Sequence, residues 1–235
     1  MKKEKKRFSV VPSIEDLYDY KKSTYLKIFT VWVSIATVSA SILSSNPMGM
    51  WIKFIIDAPI FLIMLFVFRK LLHNDIKIFV GNLKRYIPFV LIGFVLYIIV
   101  GTLGNNISTW LGAETSSNQA AVEAAFSQTP FLGAMVIVIF APIVEELMFR
   151  RAIKVMVTNK FFYYLLSALL FGMAHLVIGF SFPSSFAFIF SYALCGLCLA
   201  FVYDVSRNIW CNTIIHMLNN GIGVIIMFAS LYETF

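Results

Sequence analysis

Charged residues are scarce in this sequence of 235 residues: Asp, Glu, Lys and Arg make up 13%, whereas hydrophobic residues make up 60%. A soluble domain carries about 25% charged residues. None of the four charged types occurs between Phe161 and Tyr203, and these 43 residues are enough to cross a hydrocarbon core of about 30 Å twice. The composition excludes a soluble enzyme and a disordered tail, and it predicts an integral membrane protein.

Cysteines are also few, and Cys195, Cys198 and Cys211 all lie within apolar segments. This number excludes a disulfide scaffold. Cys195 and Cys198 have the spacing of a redox or metal site, but their Leu, Ala and Phe neighbours supply no charge that would stabilise thiolates, so we interpret them as packing residues. The net charge of +7 arises from basic residues that flank the apolar segments, which indicates membrane orientation rather than a nucleic-acid partner.

Seven apolar segments are long enough to cross a membrane. They are Tyr25–Leu43, Gly49–Phe68, Tyr86–Leu103, Pro130–Val157, Phe161–Ser181, Ser184–Tyr203 and Ile209–Tyr232. A short amphipathic helix is predicted in Ser116–Phe126, which has too few large apolar residues to span. We therefore predict an all-α, polytopic membrane bundle of about seven helices. A basic cytoplasmic arm covers residues 1–24, and a single transmembrane domain covers residues 25–235.

The positions of the 19 Lys and Arg residues predict the orientation of the bundle. Basic residues precede the first segment and occupy the loops after the second, fourth and sixth segments, whereas the loops 104–129 and 180–184 contain none. Only Lys53 falls toward the other side. By the positive-inside rule the N-terminus is cytoplasmic and the C-terminus is outside. A composition rich in Lys, Ile and Phe is typical of an AT-rich bacterial genome, so we expect the bacterial plasma membrane.

Polar side chains inside the segments are informative, because an ionisable group in a membrane helix is costly and usually faces a cavity or a partner. Six of them occur in three segments: Glu145, Glu146, Arg150, His175, His216 and Asn220. Glu145 lies 14 residues before Asn159 in the intervening turn, and His175 lies 16 residues after it. At about 1.5 Å per residue their depths agree within roughly 3 Å. His216 and Asn220, four residues apart on one helical face, lie at a comparable depth.

Two pairs with helical i, i+4 spacing are predicted to form ion pairs. Glu146 and Arg150 have the favourable order, with the acid first, and can neutralise each other within the bundle. Lys53 and Asp57 have the same spacing near the end of the second segment, and we interpret them as an interfacial ion pair. The first pair leaves Glu145, about 100° around the helix, as the carboxylate available for chemistry.

A carboxylate beside a histidine can hold and deprotonate a water molecule, which is general-base catalysis. An imidazole and a carboxamide from another helix can donate hydrogen bonds to an oxyanion. This combination predicts hydrolysis of a peptide or ester carbonyl, and no serine or cysteine is placed as convincingly beside a base. We expect no cofactor. The alternative is zinc held by Glu145, His175 and His216, although the HExxH arrangement is absent.

Three motifs together resemble those of the CPBP family, the CAAX-protease and bacteriocin-processing proteins, also called the Abi family and related to type II CAAX prenyl endopeptidases. They are Glu145-Glu146-x-x-x-Arg150, Phe171-x-x-x-His175 and His216-x-x-x-Asn220, within a core at about residues 129–225. The resemblance implies a glutamate-dependent intramembrane endopeptidase with a helical-bundle fold. It implies that Glu145 with His175 activates water and that His216 with Asn220 stabilises the oxyanion. Glu146 and Arg150 would support the site, with Glu146 as a second candidate for the base.

The expected substrate is a membrane-associated peptide, a peptide precursor or a lipidated protein that enters between helices from the bilayer. Related family members take part in peptide maturation, quorum sensing and bacteriocin self-immunity, and CAAX proteolysis requires a prenylated cysteine. Two alternatives stay open at this point. One is a non-catalytic immunity or regulatory protein of the same fold, and the other is a transporter or proton pathway that uses the buried polar groups. The sequence does not predict an oligomeric state.

Overall fold

The computed structural model describes residues 20–45, 49–113, 116–177 and 184–233, and these form helices with no strand among them. Most of the predicted cytoplasmic arm, residues 1–19, lies outside the described residues. The helices, in chain order, are α1 Lys22–Ser45, α2 Gly49–Val67, α3 Arg69–Gly81, α4 Leu83–Trp110, α5 Ser117–Gln128, α6 Pro130–Met156, α7 Lys160–Ala174, α8 Ser184–Ala187, α9 Ile189–Ser206 and α10 Ile209–Glu233.

Five of the described helices are long and apolar enough to cross a membrane: α2, α4, α6, α9 and α10. The prediction of an all-α membrane bundle is confirmed, whereas the count of seven spans is not. The first predicted span lies in α1, where Ser and Thr repeatedly interrupt the apolar residues. The fifth lies in α7, whose 15 residues measure about 22 Å and are shorter than a hydrocarbon core of about 30 Å. The end of that predicted span, residues 178–181, lies outside the described residues.

The spans differ in how deeply they are enclosed. About half of the residues of α6 and α9 are buried inside the protein, against less than a quarter in α2, α4 and α10. α9 packs between α4 and α7, and α6 contacts α1, α2, α7, α9 and α10. The outer helices instead expose large apolar side chains such as Leu62, Phe66 and Ile92, which suits a lipid-facing surface. The polar groups of α6 are therefore shielded from the lipid by other helices.

The helix predicted in Ser116–Phe126 is present as α5, whereas its amphipathic character stays a prediction. Ser116 caps its N-terminus, because the hydroxyl oxygen accepts a hydrogen bond from the Gln119 backbone N–H. The preceding span, α4, continues beyond its predicted end at Leu103 to Trp110. Gly104 permits a close approach of α4 to α9, because a Cβ atom there would lie 2.5 Å from the Cα atom of Ser191 on α9. The additional turns of α4 thus pack against α9.

The turn between α9 and α10 is anchored to α3, the helix that joins α2 and α4. Asn208 caps α10 by accepting from the Trp210 N–H at 3.0 Å, and its own amide donates to the Asp75 backbone carbonyl at 2.7 Å. An Asp75 carboxylate oxygen accepts from the Ile209 N–H at 2.9 Å. Burial raises the pKa of Asp75 to about 6, although this hydrogen bond and the charge of Arg151 act in the opposite direction. This contact fixes the start of the helix that carries His216.

Candidate active site

Glu146 is fully buried and is surrounded by hydrogen-bond donors. Arg150, one turn further along α6, donates from Nε to Glu146 Oε2 at 2.9 Å. The Asn212 amide on α10 donates to the same oxygen. His216 Nδ1 lies 3.0 Å from Oε1. Both carboxylate oxygens therefore have partners, and Glu146 links α6 to α10 inside the bundle.

Arg150 connects this network to α7. Its guanidinium is fully buried, and Nη1 donates to the Ser167 hydroxyl at 2.8 Å. Ser167 in turn donates to the Phe149 carbonyl at 2.8 Å, and the guanidinium carbon lies 4.7 Å from the centre of the Phe171 ring. Such cation–π contact and hydrogen bonding offset the cost of burying the charge. The ion pair expected from the Glu146–Arg150 spacing is present, and it holds three helices together.

Glu145, the preceding residue, has a different environment. Its side chain is 20% exposed, and Oε2 lies 4.0 Å from His175 Nε2 and 3.9 Å from His216 Nε2. Oε2 is itself buried and accepts no hydrogen bond from the described residues. Separations near 4 Å are too long for direct hydrogen bonds and fit a bridging water molecule. The structure thus brings Glu145 and both histidines together, as the depth argument predicted.

His175 is held in one orientation by its surroundings at the end of α7. Its Nδ1 lies 2.8 Å from the Phe171 carbonyl oxygen, which can only accept, so Nδ1 carries the proton. In the neutral ring Nε2 is then an acceptor, and it is the nitrogen that faces Glu145. The ring is stacked on Tyr192, with centroids 4.6 Å apart and planes at 22°, and it also contacts Phe171.

His216 bridges the two glutamates from α10. Nδ1 faces Glu146 and Nε2 faces Glu145, and the side chain is almost completely buried. When Nδ1 donates to Glu146, Nε2 can donate only if the ring is an imidazolium. Two carboxylates and one Arg150 guanidinium leave one negative charge, which an imidazolium at His216 would neutralise. Oxyanion stabilisation by His216 therefore requires this form.

Asn220 contacts a distorted part of α6. A π-helical turn spans Val136–Phe140, and the Ala141 N–H bonds to the Val136 carbonyl instead of the usual i−4 partner. With the same i−5 spacing, the Ile137 carbonyl would accept from residue 142. That residue is Pro142, which has no N–H to donate. The Ile137 carbonyl instead accepts from the Asn220 amide at 2.9 Å. Pro142 thus leaves one carbonyl of α6 free near the glutamates, and Asn220 bonds to it.

Three residues at the site were not among the predicted site residues: Asn212, Ser167 and Tyr192. Asn212 lies four residues before His216, which lies four before Asn220, so the period of α10 could have revealed it. Ser167 and Tyr192 carry no comparable signal, because small polar and aromatic residues are frequent in membrane helices. Their roles depend on which helices are neighbours.

A small cavity of about 70 Å³ adjoins Glu145 on the side of α1 and α2. Lys53 and Asp57 line it and form the predicted ion pair, with Nζ 2.6 Å from the carboxylate, while Ser39 donates to Asp57 at 3.2 Å. Apolar side chains form the rest of the lining. One water molecule occupies about 30 Å³ in the liquid, so the cavity has room for about two beside its charged groups. It is a chemically suitable reservoir of water beside Glu145.

The zinc alternative can be compared with the geometry of Glu145, His175 and His216. Zinc ligands lie about 2.0–2.2 Å from the metal. Among the described residues, no group of three or more His, Cys, Asp or Glu side chains is arranged to hold a metal ion. The three cysteines are buried free thiols, and Cys198 lies 3.7 Å from the Gly93 carbonyl, in a packing contact between α9 and α4.

Comparisons with known proteins point to membrane peptidases. Residues 127–222 match the sequence model of the family described as Type II CAAX prenyl endopeptidase Rce1-like, which confirms the resemblance seen in the motifs. A Bacillus subtilis (strain 168) protein named "Putative membrane peptidase YdiL" is 27% identical over 186 residues, covering 75% of this chain and 71% of that protein. No solved structure matches the chain.

A second relative, from Mycoplasma capricolum subsp. capricolum, is described only as an uncharacterized protein. It is 28% identical over 185 residues, which cover 73% of this chain. The chain spans about half of that protein, with 54% of its length aligned.

Proposed function

We propose that this chain is an intramembrane endopeptidase that hydrolyses a peptide bond in a membrane-associated peptide or lipidated protein. The family match and the apolar helices support a membrane protease. One observation carries the mechanism: the buried Glu145 Oε2 lies about 4 Å from His175 Nε2 and from His216 Nε2, with no direct hydrogen bond between them. The small adjoining cavity, in which Lys53 and Asp57 are charged groups that can bind water, would supply the water.

In the proposed reaction, a water molecule donates one hydrogen bond to Glu145 Oε2 and one to the bare Nε2 of His175. Glu145 accepts the water proton while the oxygen attacks the carbonyl carbon of the scissile peptide bond. The carbonyl π electrons move to oxygen, forming a tetrahedral oxyanion. The intermediate collapses with cleavage of the C–N bond, and Glu145 returns the proton to the departing nitrogen. Water is consumed, and the products are a carboxyl group and an amine.

Donors on α10 would stabilise the oxyanion. His216, as an imidazolium, can donate from Nε2 while Nδ1 remains bonded to Glu146. Asn220 uses one amide hydrogen for the Ile137 carbonyl and has a second that can donate to substrate. Removal of one such donor typically costs about 10²–10³ in kcat. Glu146 and Arg150 position these groups rather than meeting the substrate.

The decisive experiment measures cleavage of a prenylated CAAX peptide and a panel of leader-type peptides by protein in liposomes. Glu145→Gln and His175→Ala should each lower the rate by about 10²–10⁴, because each removes a partner of the attacking water. His73→Ala is the matched control, since His73 is exposed on α3 and remote in sequence from all three motifs. The control should retain wild-type activity.

Each variant is also assayed with a chelator, because zinc is the alternative to water activated by side chains alone. Indifference to the chelator supports the proposed chemistry, whereas loss of wild-type activity assigns the site to a metallopeptidase. If folded wild-type protein cleaves nothing, the non-catalytic immunity or regulatory role is favoured. Full activity in both site variants would overturn the mechanism.

A further inference from the structure

A second and much larger cavity lies beside the candidate active site. It has a volume of about 670 Å³ and is bounded by α4, α5 and α9. Two of its lining residues touch the site: Tyr192 stacks on His175, and the Asn219 amide donates to Asn220 at 3.2 Å. Ligand pockets commonly measure about 300–1,000 Å³. The size and position of the cavity suit a segment of substrate next to the reacting bond.

The lining is polar, although α4 is a membrane-spanning helix. Thr102, Asn105 and Thr109 follow each other at i, i+3 and i+7 and so form one polar face toward the cavity. Ser191 donates to the Asn105 carboxamide oxygen at 2.5 Å, which orients the amide nitrogen away from that contact. Polar groups in a membrane helix need partners. Peptide N–H and C=O groups of an extended substrate would provide them.

Glu123 gives the cavity a charge preference. It is the one acidic or basic residue among the described side chains that line the cavity. Its Oε1 accepts from the neutral Gln119 amide at 2.7 Å, one turn earlier on α5. Lys53 and Asp57, in contrast, neutralise each other at the small cavity. A cationic side chain of a bound peptide would complement the negative charge of Glu123.

We propose that this cavity binds the substrate polypeptide on one side of the cleaved bond and that Glu123 selects a Lys or Arg side chain there. This inference rests on the proposed endopeptidase function. The polar face of α4 would hold the peptide backbone, Tyr192 would separate the bound segment from the back of His175, and Glu123 would set the register of the chain.

The test uses dansyl-labelled apolar peptides in which a single Lys is moved along the chain, each paired with the same peptide carrying Glu. Wild-type protein should favour Lys at one position in kcat/KM. Glu123→Gln should reduce that preference by about twofold to fivefold through KM, as for a solvated ion pair. Glu123→Lys should reverse it. Ser127→Ala, at an exposed residue of α5 that does not line the cavity, is the matched control and should keep the Lys preference.

Binding of the same peptides to the Glu145→Gln variant separates this inference from the proposed chemistry. If Lys peptides bind this variant more tightly than Glu peptides, and the additional Glu123→Gln change abolishes the difference, the cavity assignment stands even where no cleavage occurs. If peptides are cleaved but the preference is the same in wild type and Glu123→Gln, the proposed function stands and the cavity inference is overturned. Equal binding of Lys and Glu peptides at every position would also overturn it.

Discussion

Glu145 and Glu146 are adjacent in the sequence, and α6 gives them opposite surroundings. Glu146 faces Arg150, Asn212 and His216 and has no contact with solvent. Glu145 is about 100° around the helix from it, borders a small cavity that also contains Lys53 and Asp57, and lies about 4 Å from two histidines without a direct hydrogen bond to either. A saturated carboxylate has little capacity to bind water, whereas an incompletely bonded one can accept from it. This difference supports the proposal that Glu146 has a structural role and Glu145 a chemical one.

The largest effect on stability should follow from removal of Glu146, the fully hydrogen-bonded carboxylate. Glu146→Ala leaves the Arg150 guanidinium buried without its counter-charge, which typically costs about 3–5 kcal/mol of stability. Glu145→Gln should change stability by less than about 1 kcal/mol, because its side chain is partly exposed and its Oε2 accepts no direct hydrogen bond from the described residues. The free energies of unfolding are compared by SDS titration in mixed micelles.

The double variant Glu146→Leu/Arg150→Met controls for simple loss of packing. It removes both charges, so it should recover much of the stability lost in Glu146→Ala. A Glu146→Ala variant as stable as Glu145→Gln would contradict the structural role of Glu146.

Asp75 is another buried carboxylate, but unlike Glu146 its direct hydrogen bond comes from a neutral backbone N–H. Its folded-state pKa of about 6 exceeds the usual 3.8, so the folded protein binds this proton more tightly than the unfolded chain. The resulting stabilisation is fully present below about pH 4 and is lost as the pH rises through about 6. Over that window the change amounts to about 2–3 kcal/mol.

The measurement compares unfolding of wild type and Asp75→Asn between pH 7 and pH 4, since other groups titrate in both proteins. As the pH falls, the free energy of unfolding of wild type should increase relative to that of Asp75→Asn by about 2–3 kcal/mol. The amide oxygen of Asn can still accept from the Ile209 N–H, so the helix contact is retained. If the stability difference does not depend on pH, burial does not raise the pKa of Asp75.

The next effect concerns Asn212, which the motifs did not reveal. Asn212→Leu keeps the branched shape of the side chain but removes a donor to the charged Glu146, and hydrogen bonds to charged groups contribute about 1.5–3 kcal/mol. Thr213→Val is the control on the same helix, because the Thr213 hydroxyl bonds only to the Ile209 carbonyl of α10 among the described contacts. Its cost should be smaller. Equal unfolding free energies for the two variants would argue against a specific contribution of Asn212.

Helical period explains how much of the site could be predicted. The i, i+4 rule correctly paired Glu146 with Arg150, and counting from the turn at Asn159 placed Glu145 near His175. It could not predict Ser167, because that contact depends on α7 packing against α6. The count of seven spans is not confirmed for a different reason: α7 is apolar, but its 15 residues are shorter than a hydrocarbon core of about 30 Å. The i, i+4 rule also left Glu145 as the free carboxylate, whereas the contacts of Glu146 with Asn212 and His216 required the three-dimensional structure.

The smallest predicted effect concerns kcat and the orientation of His175, the histidine that faces Glu145. Tyr192 stacks on the ring, and its hydroxyl lies 2.8 Å from the Ser116 hydroxyl at the cap of α5. Tyr192→Phe keeps the stack and should change kcat by less than about twofold. Tyr192→Leu removes an aromatic contact worth about 0.5–1.5 kcal/mol and should lower kcat by about two- to tenfold, with stability measured in parallel. If Phe and Leu lower kcat equally, the hydroxyl rather than the stacked ring positions His175, and the link to α5 becomes the functional one.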